Sequence, residues 1–215
     1  MATTTHYLRR QVRRFGLNEA LNATTFPKVV QSTVAMSLSS TFSTNVKAGN
    51  VIVAMVGWYS SNTTPTMSDN LGNTYTLVSF SAGVSSTWVG LFMAKVKTGG
   101  SCTFTAVAAG SSFSNVCGVE FNGLFGGLVS AAQNSSANSS PTCTINGPGL
   151  VVAGIEGYHS GTSFTSNNQT IVIVQGNGSD ACAIGIIPDV YGLNRTVTFG
   201  GSSLDNWNIA AAIII

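Results

Sequence analysis

The spacing of hydrophobic and polar positions changes once along the chain. Between Tyr7 and Leu21, Leu8, Val12 and Phe15 recur at i, i+4 and i+7, so they share one face of a helix. Arg9 with Arg13, and Arg10 with Arg14, stack at i, i+4 on the other side. Gly16 ends or breaks the first helical piece. A helix this short is marginal in water, so the segment is expected to order on a partner. From Val29 onward the spacing is that of strands. The segments 29–36, 40–46, 51–58, 74–80, 87–95, 102–107, 115–121, 128–132, 141–145, 150–156, 170–175, 181–187, 195–199 and 207–214 are short and rich in Val, Ile, Thr and Phe. Turn signals separate them, among them Lys47-Ala-Gly-Asn50, Asp69-Asn-Leu-Gly-Asn73, Thr98-Gly-Gly100 and Asn146-Gly-Pro-Gly149. Many short strands at close turn spacing predict an all-β fold. The expected form is a single jelly-roll-like β-sandwich with an extended or partly helical N-terminal arm.

The run Val51-Ile-Val-Ala-Met-Val56 is apolar at every position. Such a strand is covered on both faces, by loops or by another subunit. The chain also echoes itself. Gly49–Ser60 matches Gly149–Ser160 at an offset of 100, and Gly110–Asn115 matches Gly201–Asn206. Two arrangements fit: two small sandwiches in tandem, or two similar halves building one sandwich. The second is preferred. It divides the chain into a basic docking arm, residues 1–28, and a sandwich, 29–215, with halves of about 48–123 and 147–215. Between the halves, Gly123–Asn146 is rich in Ser and Asn but holds two strand candidates, so it reads as crossing structure.

Composition narrows the classes. Of 215 residues, 44% are hydrophobic and 7% charged. That is too apolar for intrinsic disorder, and too poor in Glu, Lys and Arg for a solvated helical bundle. Surface polarity must come from Ser, Thr, Asn and the 24 Gly. Charge is uneven. Residues 1–28 hold five basic groups against Glu19, a balance of +4, while 29–215 hold four basic and six acidic groups, a balance of −2. Nucleic acid, anionic lipid or an acidic protein surface would each attract the arm. No stacking aromatics accompany its arginines, so nucleic acid is not favoured. In the favoured reading Leu8, Val12 and Phe15 fill a groove while Arg9, Arg10, Arg13 and Arg14 pair with acidic groups of a partner protein. The arginines also stand where a secretory signal needs an apolar stretch. The longest apolar run, Ile209–Ile215, is too short to span a bilayer. A soluble protein made in a cytoplasm, without membrane contact, is expected.

Candidate chemistry is sparse. Only His6 and His159 could serve as a histidine base; His6 lies in the arm, and His159, after Tyr158 at a strand end, reads as a surface or rim residue. The body carboxylates are scattered from Asp69 to Asp205, with no pair nominated. Asp69-Asn-Leu-Gly-Asn-Thr74 lacks the remaining ligands of a calcium loop and reads as a structural turn. No phosphate loop is present. Neither catalysis, a cofactor nor a metal is expected. Cys102, Cys117, Cys143 and Cys182 have no metal-ligand spacing. Cys102 and Cys117 lie on adjacent strand candidates and are open to a disulfide, but small buried thiols are the preferred reading. Trp58, Tyr59 and Tyr158 are candidate glycan or interface aromatics. Trp58 and Tyr59 are strand neighbours, so one points in and the other out.

Several motifs together resemble a family of β-sandwich modules in tailed-phage structural proteins and bacterial surface proteins. They are Val29-Val-Gln-Ser32, Ala48-Gly-Asn-Val-Ile-Val53, Ser68-Asp-Asn-Leu-Gly-Asn-Thr-Tyr-Thr76, Val119-Glu-Phe-Asn-Gly-Leu124, Gly149-Leu-Val-Val-Ala153 and the closing Gly201-Ser-Ser…Asn206-Trp-Asn-Ile-Ala210. The resemblance covers roughly 29–215 and consists of turn and strand signatures. It implies a structural or adhesive role and no active site. Together with the arm it leads to the expectation of a capsid decoration (cement) protein on the virion surface. The major capsid protein would be its partner, and a homo-oligomer, a trimer by preference, would bury the apolar strands. The alternative is a tail-fibre or adhesin domain that binds host glycans.

Overall fold

A computed structural model describes residues 27–59, 63–81, 83, 86–108, 113–124, 126–136, 141–158, 165–166, 170–176, 180–188, 194–200 and 206–215. All regular secondary structure among them is β-strand. The expected arm helix, and with it the Gly16 break, lies outside the described residues.

The first half forms eight strands: β1 (Lys28–Ala35), β2 (Ser39–Thr41), β3 (Val51–Tyr59), β4 (Thr66–Asp69), β5 (Thr76–Ser81), β6 (Thr87–Lys95), β7 (Thr103–Val107) and β8 (Phe113–Asn122). They pair as a five-stranded sheet, β1-β8-β3-β6-β5, and a three-stranded sheet, β2-β7-β4. The second half forms β9 (Leu128–Ser136), β10 (Thr142–Ile145), β11 (Leu150–Tyr158), β12 (Thr165–Ser166), β13 (Thr170–Gly176), β14 (Asp180–Ile187), β15 (Arg195–Gly200) and β16 (Asn206–Ile214). Its sheets are β13-β14-β11-β16-β9 and β10-β15-β12. Adding eight to each strand number of the first half reproduces the second. The sequence echo has its cause here: Gly49–Ser60 carries β3 and Gly149–Ser160 carries β11, and the weaker echo runs into the starts of β8 and β16.

The all-β sandwich fold expected from the sequence is observed; each half forms a jelly roll of its own, and the two stack into four layers. Each half completes a larger and a smaller sheet of its own, so the halves span 28–122 and 128–214. The two larger sheets then pack face to face. Val51, Val53, Met55, Leu91, Val119 and Phe121 of the first half meet Leu150, Val152, Ile184, Ala210, Ala212 and Ile214 of the second in one core. The opposite faces of the larger sheets pack on the smaller ones. Ile52, Ala54, Val56 and Trp58 meet Phe42, Phe104 and Ala106, while Val151, Ala153, Ile155 and Ile209 meet Cys143, Val197 and Phe199. Both faces of the all-apolar β3 are thus covered from within the chain, so this strand gives no reason for an oligomer.

Across the central core β1 lies against β13, β8 against β14, β3 against β11, β6 against β16 and β5 against β9. Met55 packs on Gly154 and Glu156 packs on Gly57, so β3 and β11 run parallel. The halves are therefore related by a local twofold axis that runs along the strands between β3 and β11. The close crossing needs small residues: a Cβ at Gly154 would stand 2.6 Å from Met55 Sδ.

Strand direction also fixes two poles. At one, β1 begins at Lys28 opposite Asn122, Val51 pairs with Lys95, and Leu150 pairs with Ile214. At the other, Tyr59 pairs with Thr87, Tyr158 with Asn206 and Gly176 with Ala181.

Candidate functional site

The pole at which β1 begins gathers the body's lysines. Lys28 opens β1 and Lys95 closes β6, in register with the same end of β3 and β8. Lys47 sits in the turn before β3, where Gly49 N donates to Val96 O and Val96 N donates to Asn50 O. Lys97 follows Val96, and its backbone N donates to Asn73 Oδ1 at 2.8 Å. All four lysines of the chain are exposed at this pole. Lys95 Nζ donates to Leu124 O at 3.0 Å; neither Lys47 nor Lys97 lies in a strand.

The first half's carboxylates at this pole point inward. Glu120 is buried and accepts from Gln31 Nε2 at 2.7 Å, Lys47 N at 2.9 Å and Asn50 Nδ2 at 2.7 Å. Asp69 accepts from Leu71 N at 3.0 Å, Asn73 N at 2.9 Å, Asn73 Nδ2 at 2.8 Å and Tyr75 Oη at 3.1 Å. The Asp69 turn is structural, as its sequence indicated. Cys102 Sγ donates to Asp69 Oδ2 at 3.6 Å, and burial together with the Asp69 charge pushes that thiol up to about 12. Burial and the same carboxylate raise the Tyr75 phenol well above its ordinary range. Because these carboxylates are consumed by inward bonds, the outward charge of the first half's turns is basic. Apolar side chains flank it. Val29 and Val30 on β1, and Leu128 and Val129 on β9, are exposed at the same pole on opposite edges.

The arm residues Leu8, Arg9, Arg10, Val12, Arg13, Arg14 and Phe15 lie outside the described residues. The chain reaches Lys28 at the lysine-bearing pole, so the arm's attachment point is there. The lysine cluster was missed in the sequence because the four residues are spread over 28–97 and the body's net charge is negative. The available signal was local: Lys47 and Lys97 each sit in a turn motif, Lys47-Ala-Gly-Asn50 and Lys97-Thr-Gly-Gly100.

The other pole carries the aromatics. Trp58 and Tyr59 do point to opposite faces. Trp58 is 1% exposed, and its ring is stacked 6.0 Å from Phe80 and 6.4 Å from Trp88. It is thereby corrected from a candidate sugar platform to core: enclosed on the smaller-sheet side, it offers no free face. Tyr59 is 37% exposed. Tyr158 closes β11 opposite Asn206 and Asp180, and its side chain lies outside the described residues. Just inside this pole a buried polar layer joins the halves. Asn115 Nδ2 donates to Glu156 Oε1 at 3.1 Å, and Asn208 Nδ2 donates to Thr87 Oγ1 at 2.6 Å. The strand ends here flank residues 60–62, 82–85, 109–112, 137–140, 159–164, 177–179 and 201–205, whose sequences are dominated by Ser, Asn, Gly and Thr.

The two cysteines open to a disulfide are not neighbours. Cys102 faces the smaller-sheet core and Cys117 the central core, on opposite sides of the larger sheet. Among the described residues no group of three or more His, Cys, Asp or Glu is placed to hold a metal ion. Among them, too, no helix is long and apolar enough to cross a membrane. Comparison with protein-family models, with curated proteins and with solved structures finds no match to this chain.

Proposed function

We propose that this protein is a virion structural protein, a capsid decoration or cement protein that docks through its lysine-bearing pole and the arm attached there. One observation carries the reading. The four lysines, the exposed Val29 and Val30, and the point where the arginine-rich arm joins the body all converge on one pole. A surface of mixed basic and apolar character fits an acidic protein partner with apolar grooves, such as the major capsid protein. The role is mechanical rather than catalytic: a four-layered body held at one end, with its other pole facing outward.

The test is co-sedimentation with undecorated phage shells at low and high salt. Full-length protein is expected to pellet with shells, less so at high salt. Deleting residues 1–26 should leave a folded body with shell binding lost or reduced at least tenfold. Lys47→Glu with Lys97→Glu should weaken binding about three- to thirtyfold. Full occupancy by both variants sinks the proposal.

A second reading has its own observation. Tyr59 is exposed, and the sequence segments that join the strand ends of its pole are rich in Ser, Asn and Gly, the composition of adaptable recognition surfaces. As a tail-fibre or adhesin domain the protein would bind host glycans there. Saturable binding to host polysaccharide that Tyr59→Ala abolishes, without shell binding, would favour this reading.

A further inference from the structure

Cys117 on β8 and Cys182 on β14 meet across the central core, with their Sγ atoms 2.9 Å apart. Both are 0% exposed. Each belongs to a different half, and they are 65 residues apart in sequence. Their surroundings are apolar: Met55, Val119, Ile184 and Val152 belong to the same core, and Val34 and Val172 pack against it from the edge strands. The other two cysteines have no such neighbour. Cys143 sits in the core under the second half's smaller sheet and Cys102 in that of the first. We propose that Cys117 and Cys182 are a disulfide site that staples the two jelly rolls to each other when the protein folds in an oxidising environment.

Geometry and burial carry this. An S–S bond of about 2.05 Å requires the sulfurs to approach by about an ångström. The pair is closed to solvent, so the bond forms while the halves dock. The Cys117 thiolate attacks a small-molecule disulfide such as glutathione disulfide and releases one glutathione. The Cys182 thiolate then attacks the mixed disulfide, forms the Cys117–Cys182 bond and releases the second glutathione. Each protein thiol gives up its proton to a departing glutathione thiolate, and the oxidant is reduced by two electrons. Once inside the core the bond is shielded from reductants. Apart from the packed core and the buried polar layer, the two jelly rolls are joined covalently by the backbone between β8 and β9. The cross-link would close a long loop through both halves, which constrains the unfolded chain.

The experiment uses the full chain, unfolded and reduced, then refolded with glutathione disulfide or with reduced glutathione alone. Remaining thiols are alkylated under denaturing conditions and the peptides are read by mass spectrometry. The expected result is a Cys117–Cys182 linked peptide in the oxidised sample, with Cys102 and Cys143 alkylated. The oxidised protein should unfold about 5–15 °C above the reduced one. In Cys182→Ala that difference should vanish. Four alkylated cysteines after oxidative refolding, or Cys117 linked to any cysteine other than Cys182, would overturn the proposal. So would a linked protein whose unfolding temperature matches the reduced form.

Discussion

Asp69 shows how much one side chain organises at the lysine-bearing pole. It holds two backbone amides, the Asn73 amide and the Tyr75 hydroxyl. Replacing it with Ala leaves those donors without an acceptor, so a loss of about 2–4 kcal/mol in denaturant unfolding is expected. Gly154→Ala should cost about 1–3 kcal/mol because its Cβ meets the Met55 thioether. Met55→Ala in the same chain should recover part of that loss, a non-additivity that a double-mutant cycle reads. The buried thiols give a pH dependence. Cys102 is pushed up to about 12 and Cys143, by burial alone, to about 11. In the folded state both hold their protons at pH values where the unfolded chain releases them. Stability should therefore be insensitive to these groups below about pH 9 and fall as pH rises from there toward 12, as chemical denaturation at stepped pH would show. The Asp69 turn and the opposed directions of Trp58 and Tyr59 were legible in the sequence, because Asx turns and strand alternation are local. That Trp58 is enclosed was not, since the rings around it come from β5 and β6.

At the level of elements, the apolar run in β3 announced burial on both faces, and it is buried on both. Its cover could not be identified from the run itself. One face is covered by the second half and the other by β2, β7 and β4. The offset-100 echo named β3 and β11 as equivalent strands but left open whether equivalent strands share a sheet. They do not: each centres its own sheet, and the sheets stack. Two strands escaped the sequence reading. β4 and β12 have four and two residues, too short for alternation to register. The stacked arrangement makes a direct prediction. Residues 27–122 expressed alone should expose Val51, Val53, Met55 and Leu91. They should associate into dimers through that face, because its natural partner is a near copy of itself related by a twofold axis. Sedimentation velocity checks this; a folded, monomeric half would mean that the central core contributes little to either unit.

On the scale of the whole molecule, the chain is polar from end to end. Basic and exposed apolar groups collect where the arm joins, while the exposed Tyr59 and the start of β14 at Asp180 stand at the far pole. Sequence charge counting captured the arm but read the body only as weakly acidic, because a sum carries no position: Glu120 and Asp69 turn inward at the lysine-bearing pole, while Asp180 begins a strand at the far one. Only the fold brings Lys28, Lys47, Lys95 and Lys97 together. Docking by this pole makes salt dependence and arm dependence two readings of one contact, so the Lys47→Glu and Lys97→Glu changes should reduce the salt sensitivity of what binding remains. The most direct measurement is lysine acetylation footprinting of the protein, free and bound to undecorated shells, read peptide by peptide. Docking by the lysine-bearing pole predicts that Lys28, Lys47 and Lys97 lose most of their reactivity on binding. Unchanged reactivity of all three on fully decorated shells would contradict it.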